Sequence, residues 1–133
     1  MGKKHGKGKE YERNGELIFE GEYLNGKKHG KGKEYDYNNN LKFEGEYLND
    51  KEWVGIRYND GWLIFEGEYL NGKRNGKGKE FNTYGKLIFE GEYKNGQKWN
   101  GKGKEYYDNS SLKIEEIYIN GKINEEKNLS ENI

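Results

Sequence analysis

The chain has no cysteine and no proline. Without cysteine there is neither a disulfide framework nor a thiolate metal site. Long apolar runs are also missing: Leu63-Ile64-Phe65 is typical of the longest, far short of what a bilayer span needs. The opening Met1-Gly2-Lys3-Lys4-His5-Gly6 has no apolar stretch and does not read as a signal peptide. Net charge is absent too, with 24 basic residues against 24 acidic ones, so the phosphate attraction that dominates nucleic-acid affinity is weak and no nucleic-acid partner is expected. Nucleophiles are scarce: Ser110, Ser111, Ser130 and Thr83 are the only serines and threonine. Asn109-Ser110-Ser111 and Asn128-Leu129-Ser130 fit the glycosylation pattern, which chance supplies in an Asn-rich chain without a secretory signal. These absences point to a soluble, cytoplasmic, non-catalytic protein.

Only 30% of residues are hydrophobic and 36% are charged, a balance that by itself suits disorder. The 15% of aromatic residues are regularly placed, however, and the charges cancel. A thin, elongated β-structure explains both.

What is present is a repeated phrase. Phe19-Glu20-Gly21-Glu22-Tyr23 returns at Phe43–Tyr47, Phe65–Tyr69 and Phe89–Tyr93, with a worn copy at Ile114–Tyr118. Its starts fall 24, 22, 24 and 25 residues apart, the period of a repeat architecture. A second phrase, Gly30-Lys31-Gly32-Lys33-Glu34-Tyr35, matches Gly6–Tyr11, Gly76–Phe81 and Gly101–Tyr106. The first alternates large or glycine positions with acidic ones, as a strand does. Asn25-Gly26 then supplies a turn whose residues tolerate positive φ. With no proline and no helical periodicity, the expected fold is all-β: an elongated, twisted antiparallel meander of about ten strands. The array is expected over residues 2–121, about five hairpin units with the first incomplete, followed by a polar tail or cap over 122–133.

A register follows from closing the hairpin at Asn25 opposite Gly30: Tyr23 beside Gly32, and Glu22 beside Lys33 as a cross-strand ion pair. Phe19, Phe43, Phe65 and Phe89 would stack as one column, and Tyr23, Tyr47, Tyr69 and Tyr93 as another. Tyr35 fits less simply. Its spacing from Gly30 places it on the opposite face, unless a bulge intervenes.

These residues resemble the MORN repeat, whose pattern is roughly aromatic-Glu-Gly-Glu-aromatic, two residues, Gly, a basic stretch and His-Gly-x-Gly. The match at Phe19–Gly32 includes Asn25-Gly26 and His29-Gly30-Lys31-Gly32, and recurs with Asn75 or Asn100 in place of His29. The trailing Lys-Glu-Tyr and the Asn-Gly-Lys-Leu connector look like the bacterial variant, some members of which are labelled antitoxin-like. The resemblance implies a rod or shallow trough of hairpins used for scaffolding, membrane-proximal attachment or dimerisation. Gly2–Gly6 equals Gly26–Gly30 residue for residue, so the chain opens mid-repeat, as a short native protein or a fragment of a longer array.

The recurring Phe19, Gly21, Tyr23, Gly30 and Gly32 read as structure. His5 and His29 share a repeat position but lack further metal ligands, and Gly-Lys-Gly lacks the helix of a phosphate loop. Lys27, Lys28, Lys73, Arg74 and Lys98, with Lys3 and Lys4, are expected along one edge of hairpin loops, where a basic row suits an anionic membrane surface or simply blocks strand addition. The breaks in the repeat are Trp53 and Trp62, which as packing residues would form one local patch, and Trp99 at a loop tip. Exposed indoles suit a protein interface. The expected function is a non-catalytic scaffold binding a protein or itself, including dimerisation through a sheet edge. The alternatives are a peripheral membrane adaptor and an antitoxin-like binder. No cofactor is expected.

Overall fold

The computed structural model describes residues 4–129. Gly2 and Lys3 of the expected array and basic row, and residues 130–133 of the tail, lie outside the described residues. Eleven strands follow one another in a single antiparallel sheet in chain order. They are β1 (Gly6–Tyr11), β2 (Leu17–Leu24), β3 (Lys27–Tyr35), β4 (Leu41–Leu48), β5 (Lys51–Asn59), β6 (Trp62–Leu70), β7 (Lys73–Phe81), β8 (Leu87–Lys94), β9 (Gln97–Tyr106), β10 (Leu112–Ile119) and β11 (Lys122–Asn128). The expected meander is present, with one strand more than the repeat count suggests, β11 in the polar C-terminal stretch. Every strand from β2 to β10 pairs on both sides, so the sheet's long edges carry turns only. One edge holds the turns within hairpins, such as Asn25-Gly26; the other holds the connectors between hairpins.

In β2–β3, Asn25 and Gly26 have φ of 53° and 82°, the type I′ geometry that matches strand twist, and Leu24 faces Lys27. This tight turn overturns the expected register. Gly21 faces Gly32, Glu20 faces Lys33 and Tyr23 faces Lys28. The slack is absorbed by a bulge in β3, where His29, Gly30 and Lys31 stand opposite Glu22 alone. Gly30 has φ of 93°, which a side chain would strain. The Glu22 carboxylate fills the bulge and accepts a hydrogen bond from the Lys31 N–H at 2.7 Å. Glu68 does the same for Lys77 at 2.7 Å. Glu22 is therefore a bulge anchor, not the partner of Lys33, whose ammonium lies 3.9 Å from Glu44 of β4.

The register aligns one glycine from each of nine successive strands, running unbroken from Gly8 through Gly21, Gly32 and Gly45 to Gly101. Rings cover this row on one face. Phe19, Phe43, Phe65 and Phe89 are at most 1% exposed, and Tyr23, Tyr47, Tyr69 and Tyr93 are buried with them. The two columns expected from the sequence do not form. Phenylalanine and tyrosine alternate edge to face: Phe19 meets Tyr23 at 5.7 Å and Tyr47 at 5.2 Å, and the zigzag continues through Phe43, Phe65 and Phe89 to Tyr118. The ring quadrupole favours this T-shaped geometry over face-to-face stacking. Glycine is needed because a Cβ at position 32 would lie 2.7 Å from Phe19 and 2.9 Å from Tyr47.

The other face carries lysine and glutamate. Tyr35 lies there, its phenol donating to Glu20 at 2.8 Å. Bulges occur as well, for example at Lys42 beside Tyr35. β9 is the irregular strand: Gly101 faces Gly91 of β8, while Gly103 faces Glu116 of β10. The glycine surface that Gly32 offers to two rings is thus divided, Gly101 lying under Phe89 and Gly103 under Tyr118.

Candidate partner-binding surfaces

On the aromatic face each ring pair is capped by a cation. Lys28 Nζ sits 4.2 Å from the Phe19 ring centre, Arg74 4.1 Å from Phe65, Lys98 5.4 Å from Phe89 and Lys4 4.9 Å from Tyr23. Such contacts contribute roughly 0.5–1 kcal/mol each at partly exposed sites. The residues expected as one basic row of loops therefore divide. Lys27, Lys28, Lys73, Arg74 and Lys98 lie in strands, just past the turns, and Lys4 precedes β1; Lys27 and Lys73 are exposed, whereas Lys28, Arg74 and Lys98 are half-buried over rings. Their charges are also engaged, Lys28 with Glu10 at 3.9 Å and Arg74 with Glu80 at 2.8 Å. Glutamates on this face also accept from tyrosine phenols: Tyr23 donates to Glu10 at 2.8 Å, Tyr47 to Glu34 at 2.6 Å and Tyr93 to Glu80 at 2.9 Å.

β5 reverses this arrangement. Glu52 faces Tyr47 where Arg74 faces Tyr69, and Arg57 faces Phe43 where Glu80 faces Phe65. Glu52 and Arg57 pair with each other, Arg57 lies 4.8 Å over Phe43, and its Nε donates to the Tyr69 phenol at 3.4 Å. Burial pushes the Glu52 carboxyl above the usual carboxylate range; Arg57 opposes the shift and the nearby Glu34 adds to it. Burial, with Glu34 as acceptor, likewise holds the Tyr47 phenol protonated far into the alkaline range.

β5 is also rewritten on the charged face. On β1–β4 and β6–β8 this face is a ladder of opposite charges, such as Lys9–Glu20–Lys33–Glu44 and Glu66–Lys79–Glu90–Lys102. The ladder lapses in β9 and β10, where Asn100 faces Glu92 and Ile117 faces Lys102. In β5 the two lysine positions hold Val54 and Ile56. Val54 stands between Glu46 and Glu68, and Ile56 between Glu44 and Glu66. Val54, Gly55 and Ile56 line a groove of about 450 Å³ with Glu66, Gly67, Glu68, Lys77 and Lys79. The signal was in the sequence: Val54-Gly55-Ile56 replaces Lys-Gly-Lys.

The tryptophans are not brought together. Trp53 is the extra residue of the β5 bulge opposite Glu46 and Tyr47; Trp62 faces Asn59 at the connector edge. The six residues from Trp53 to Asn59 span about 20 Å, so these two indoles form no single patch. Trp99 is not at a loop tip. It is the corresponding bulge residue of β9, half-buried, with Lys94 4.7 Å from its ring and Gly121 against its edge. Trp53 and Trp62 are 43% and 55% exposed. Sequence reasoning passed over Tyr37 and Tyr84, which at 87% and 76% exposed share the connector edge with Trp62.

The histidine position of the repeat has a structural task. His5 Nδ1 accepts from the backbone N–H of Asn25 at 3.4 Å, and Asn75 and Asn100 accept likewise from Asn95 at 3.1 Å and Asn120 at 3.0 Å. His29 is half-buried, and its Nδ1 has no hydrogen-bond partner among the described residues. Among the described residues no group of three or more His, Cys, Asp or Glu side chains is placed to hold a metal ion. Nor is any helix among them long and apolar enough to cross a membrane.

No curated protein matches the chain. The family model described as the MORN repeat matches residues 19–41 and 65–86, and that described as a MORN repeat variant matches residues 4–25 and 99–120. MORN repeats are generally associated with protein or membrane binding and are typically non-catalytic. Family-model matches over more than half of its length, on hairpins that place the motif aromatics over the motif glycines, make this chain a member of the MORN repeat family.

Proposed function

We propose that the chain is a non-catalytic scaffold that binds a protein partner along its connector edge. The observation that supports this reading is the exposure of Tyr37, Trp62 and Tyr84 on neighbouring connectors of one edge. The turns that carry Tyr37 and Tyr84 are held by other side chains. Asp36 Oδ1 accepts from the N–H groups of Asn38 and Asn40 at 2.9 and 3.0 Å, and Asn82 does the same for Tyr84 and Lys86. Successive connectors lie two strands apart, about 10 Å, so one partner surface reaches several rings. Aromatic residues are enriched in the cores of protein interfaces.

The test is cross-linking and affinity capture with the wild-type chain and a Tyr37→Ala, Trp62→Ala, Tyr84→Ala variant. A specific partner lost from the variant, with an unchanged melting temperature, is the expected result. A partner retained at full yield contradicts the connector-edge reading. Salt-sensitive binding to anionic vesicles through Lys27 and Lys73, equal in both proteins, supports the membrane alternative instead. Light scattering over a concentration series tests self-association through the sheet edges at β1 and β11.

A further inference from the structure

We propose a second binding surface, distinct from the connector edge: the groove at β5 on the charged face receives an extended basic segment of a partner protein, an aliphatic side chain on Val54 and Ile56 with Lys or Arg on either side. Two observations carry this together. The first is apolar surface where the ladder has charge. Val54 and Ile56 lie on this face on either side of Gly55, whose own missing side chain belongs to the aromatic face under Phe43, and the three line the groove together. The second is the charge left behind. Glu44, Glu46, Glu66 and Glu68 border the pair from β4 and β6, and each lacks the lysine that β5 would have supplied. Glu44 keeps Lys33 at 3.9 Å and Glu68 keeps the Lys77 N–H. Glu46 and Glu66 have no ion pair among the described residues.

The electrostatics select the occupant. A second copy stacked through the same groove would set four glutamates against four glutamates, and like charges so close are repelled. An anionic lipid surface or a nucleic acid would meet the same four glutamates around the aliphatic pair, the lysines standing one strand further out on β3 and β7. A basic segment supplies the missing cations and covers the aliphatic pair. Adjacent strands lie about 4.8 Å apart, so the glutamates of β4 and β6 are about 10 Å apart, a span that Lys or Arg side chains on either side of one aliphatic residue can reach.

The probe is a fluorescent peptide, acetyl-Gly-Arg-Ser-Leu-Ser-Arg-Gly-amide, whose Arg and Leu side chains share one face of an extended chain, titrated by anisotropy, with backbone amide shifts mapped by NMR. Saturable binding is expected, with shifts centred on Val54, Ile56 and Glu66. Replacing the peptide's leucine by serine, or its arginines by glutamate, should weaken binding at least tenfold. Val54→Lys with Ile56→Lys restores the ladder and should weaken it as much. Glu46→Gln with Glu66→Gln, which leaves the apolar pair in place, should weaken it severalfold and reduce its salt dependence, and it serves if the lysine variant fails to fold. Absence of binding at millimolar peptide, or equal binding by these variants, overturns the proposal. So does a concentration-dependent dimer that the lysine variant abolishes without any peptide binding, which assigns the groove to a second copy. None of these outcomes alters the connector-edge test, which uses other residues and another readout.

Discussion

Glu52 and Arg57 pair on the aromatic face of β5 with their charges reversed relative to Arg74 and Glu80 on β7. The inversion is compensated, because both members changed. Glu52→Arg alone should therefore place two cations together and cost about 2 kcal/mol. Combining it with Arg57→Glu should recover most of that loss, giving a coupling energy measurable by urea denaturation in a double-mutant cycle. Additive losses would show that the two side chains do not act as a pair.

Gly32 lies under two rings, with no room for a methyl group. Gly32→Ala should destabilise the sheet by about 1–3 kcal/mol through overpacking. Gly61→Ala offers a contrast, since nothing lies within 4 Å of its would-be Cβ and only its φ of 85° opposes the change; about 1 kcal/mol is expected there. Thermal unfolding of both variants distinguishes a packing requirement from a conformational one.

The side chain of Asn100 accepts the Asn120 amide as His5 and Asn75 accept those of Asn25 and Asn95, so at these three copies the motif position serves as an acceptor. Asn100→Ala should cost about 0.5–1 kcal/mol and speed hydrogen exchange at the Asn120 amide. Asn100→His should preserve that protection. Loss of protection with both substitutions would contradict the acceptor role.

The pH dependence has a definite sign at both ends. Burial raises the Glu52 carboxyl, with Arg57 opposing and Glu34 adding, and burial with Glu105 and Glu126 raises Glu116. The folded state thus holds protons more tightly than an unfolded glutamate, so stability is lost as pH rises from the unfolded value of about 4.3 through the raised folded values. Glu52→Gln should flatten that loss. Tyrosine acts in the same direction at high pH. Burial, then Glu20, pushes Tyr35 up to about 12, and burial with an acceptor glutamate raises Tyr23, Tyr47 and Tyr93 further. The melting temperature should fall from about pH 10 upward, as unfolded phenols ionise and folded ones do not. Tyr47→Phe should make that fall shallower; an unchanged slope would contradict the assignment.

The sequence made the hairpin, its Asn-Gly turn and the pairing of aromatics with glycines legible, because period and composition report strand and turn directly. It concealed the register. Glu22 looks like a partner for Lys33 until the bulge at Gly30 is counted, and no local pattern distinguishes a two-residue turn with a bulge from a wider loop. Trp99 was misplaced for the same reason: a bulge residue and a loop insertion read alike. The charge inversion at Glu52 and Arg57 was equally hidden, since it emerges only when each is set against its cross-strand ring. Val54 and Ile56 were visible as a departure, but the glutamates around them belong to other repeats.

The account holds that the repeated residues make the sheet, whereas the Val54 and Ile56 departures on the charged face of β5 are surface features free of any folding role. The melting temperature of the Val54→Lys, Ile56→Lys variant tests this most directly. Each new lysine would stand between two glutamates, so the account predicts a midpoint equal to or above that of the wild type. A midpoint lower by about 5 °C or more, a loss of roughly 1 kcal/mol for a domain of this size, would mean that Val54 and Ile56 belong to the core, and would contradict it.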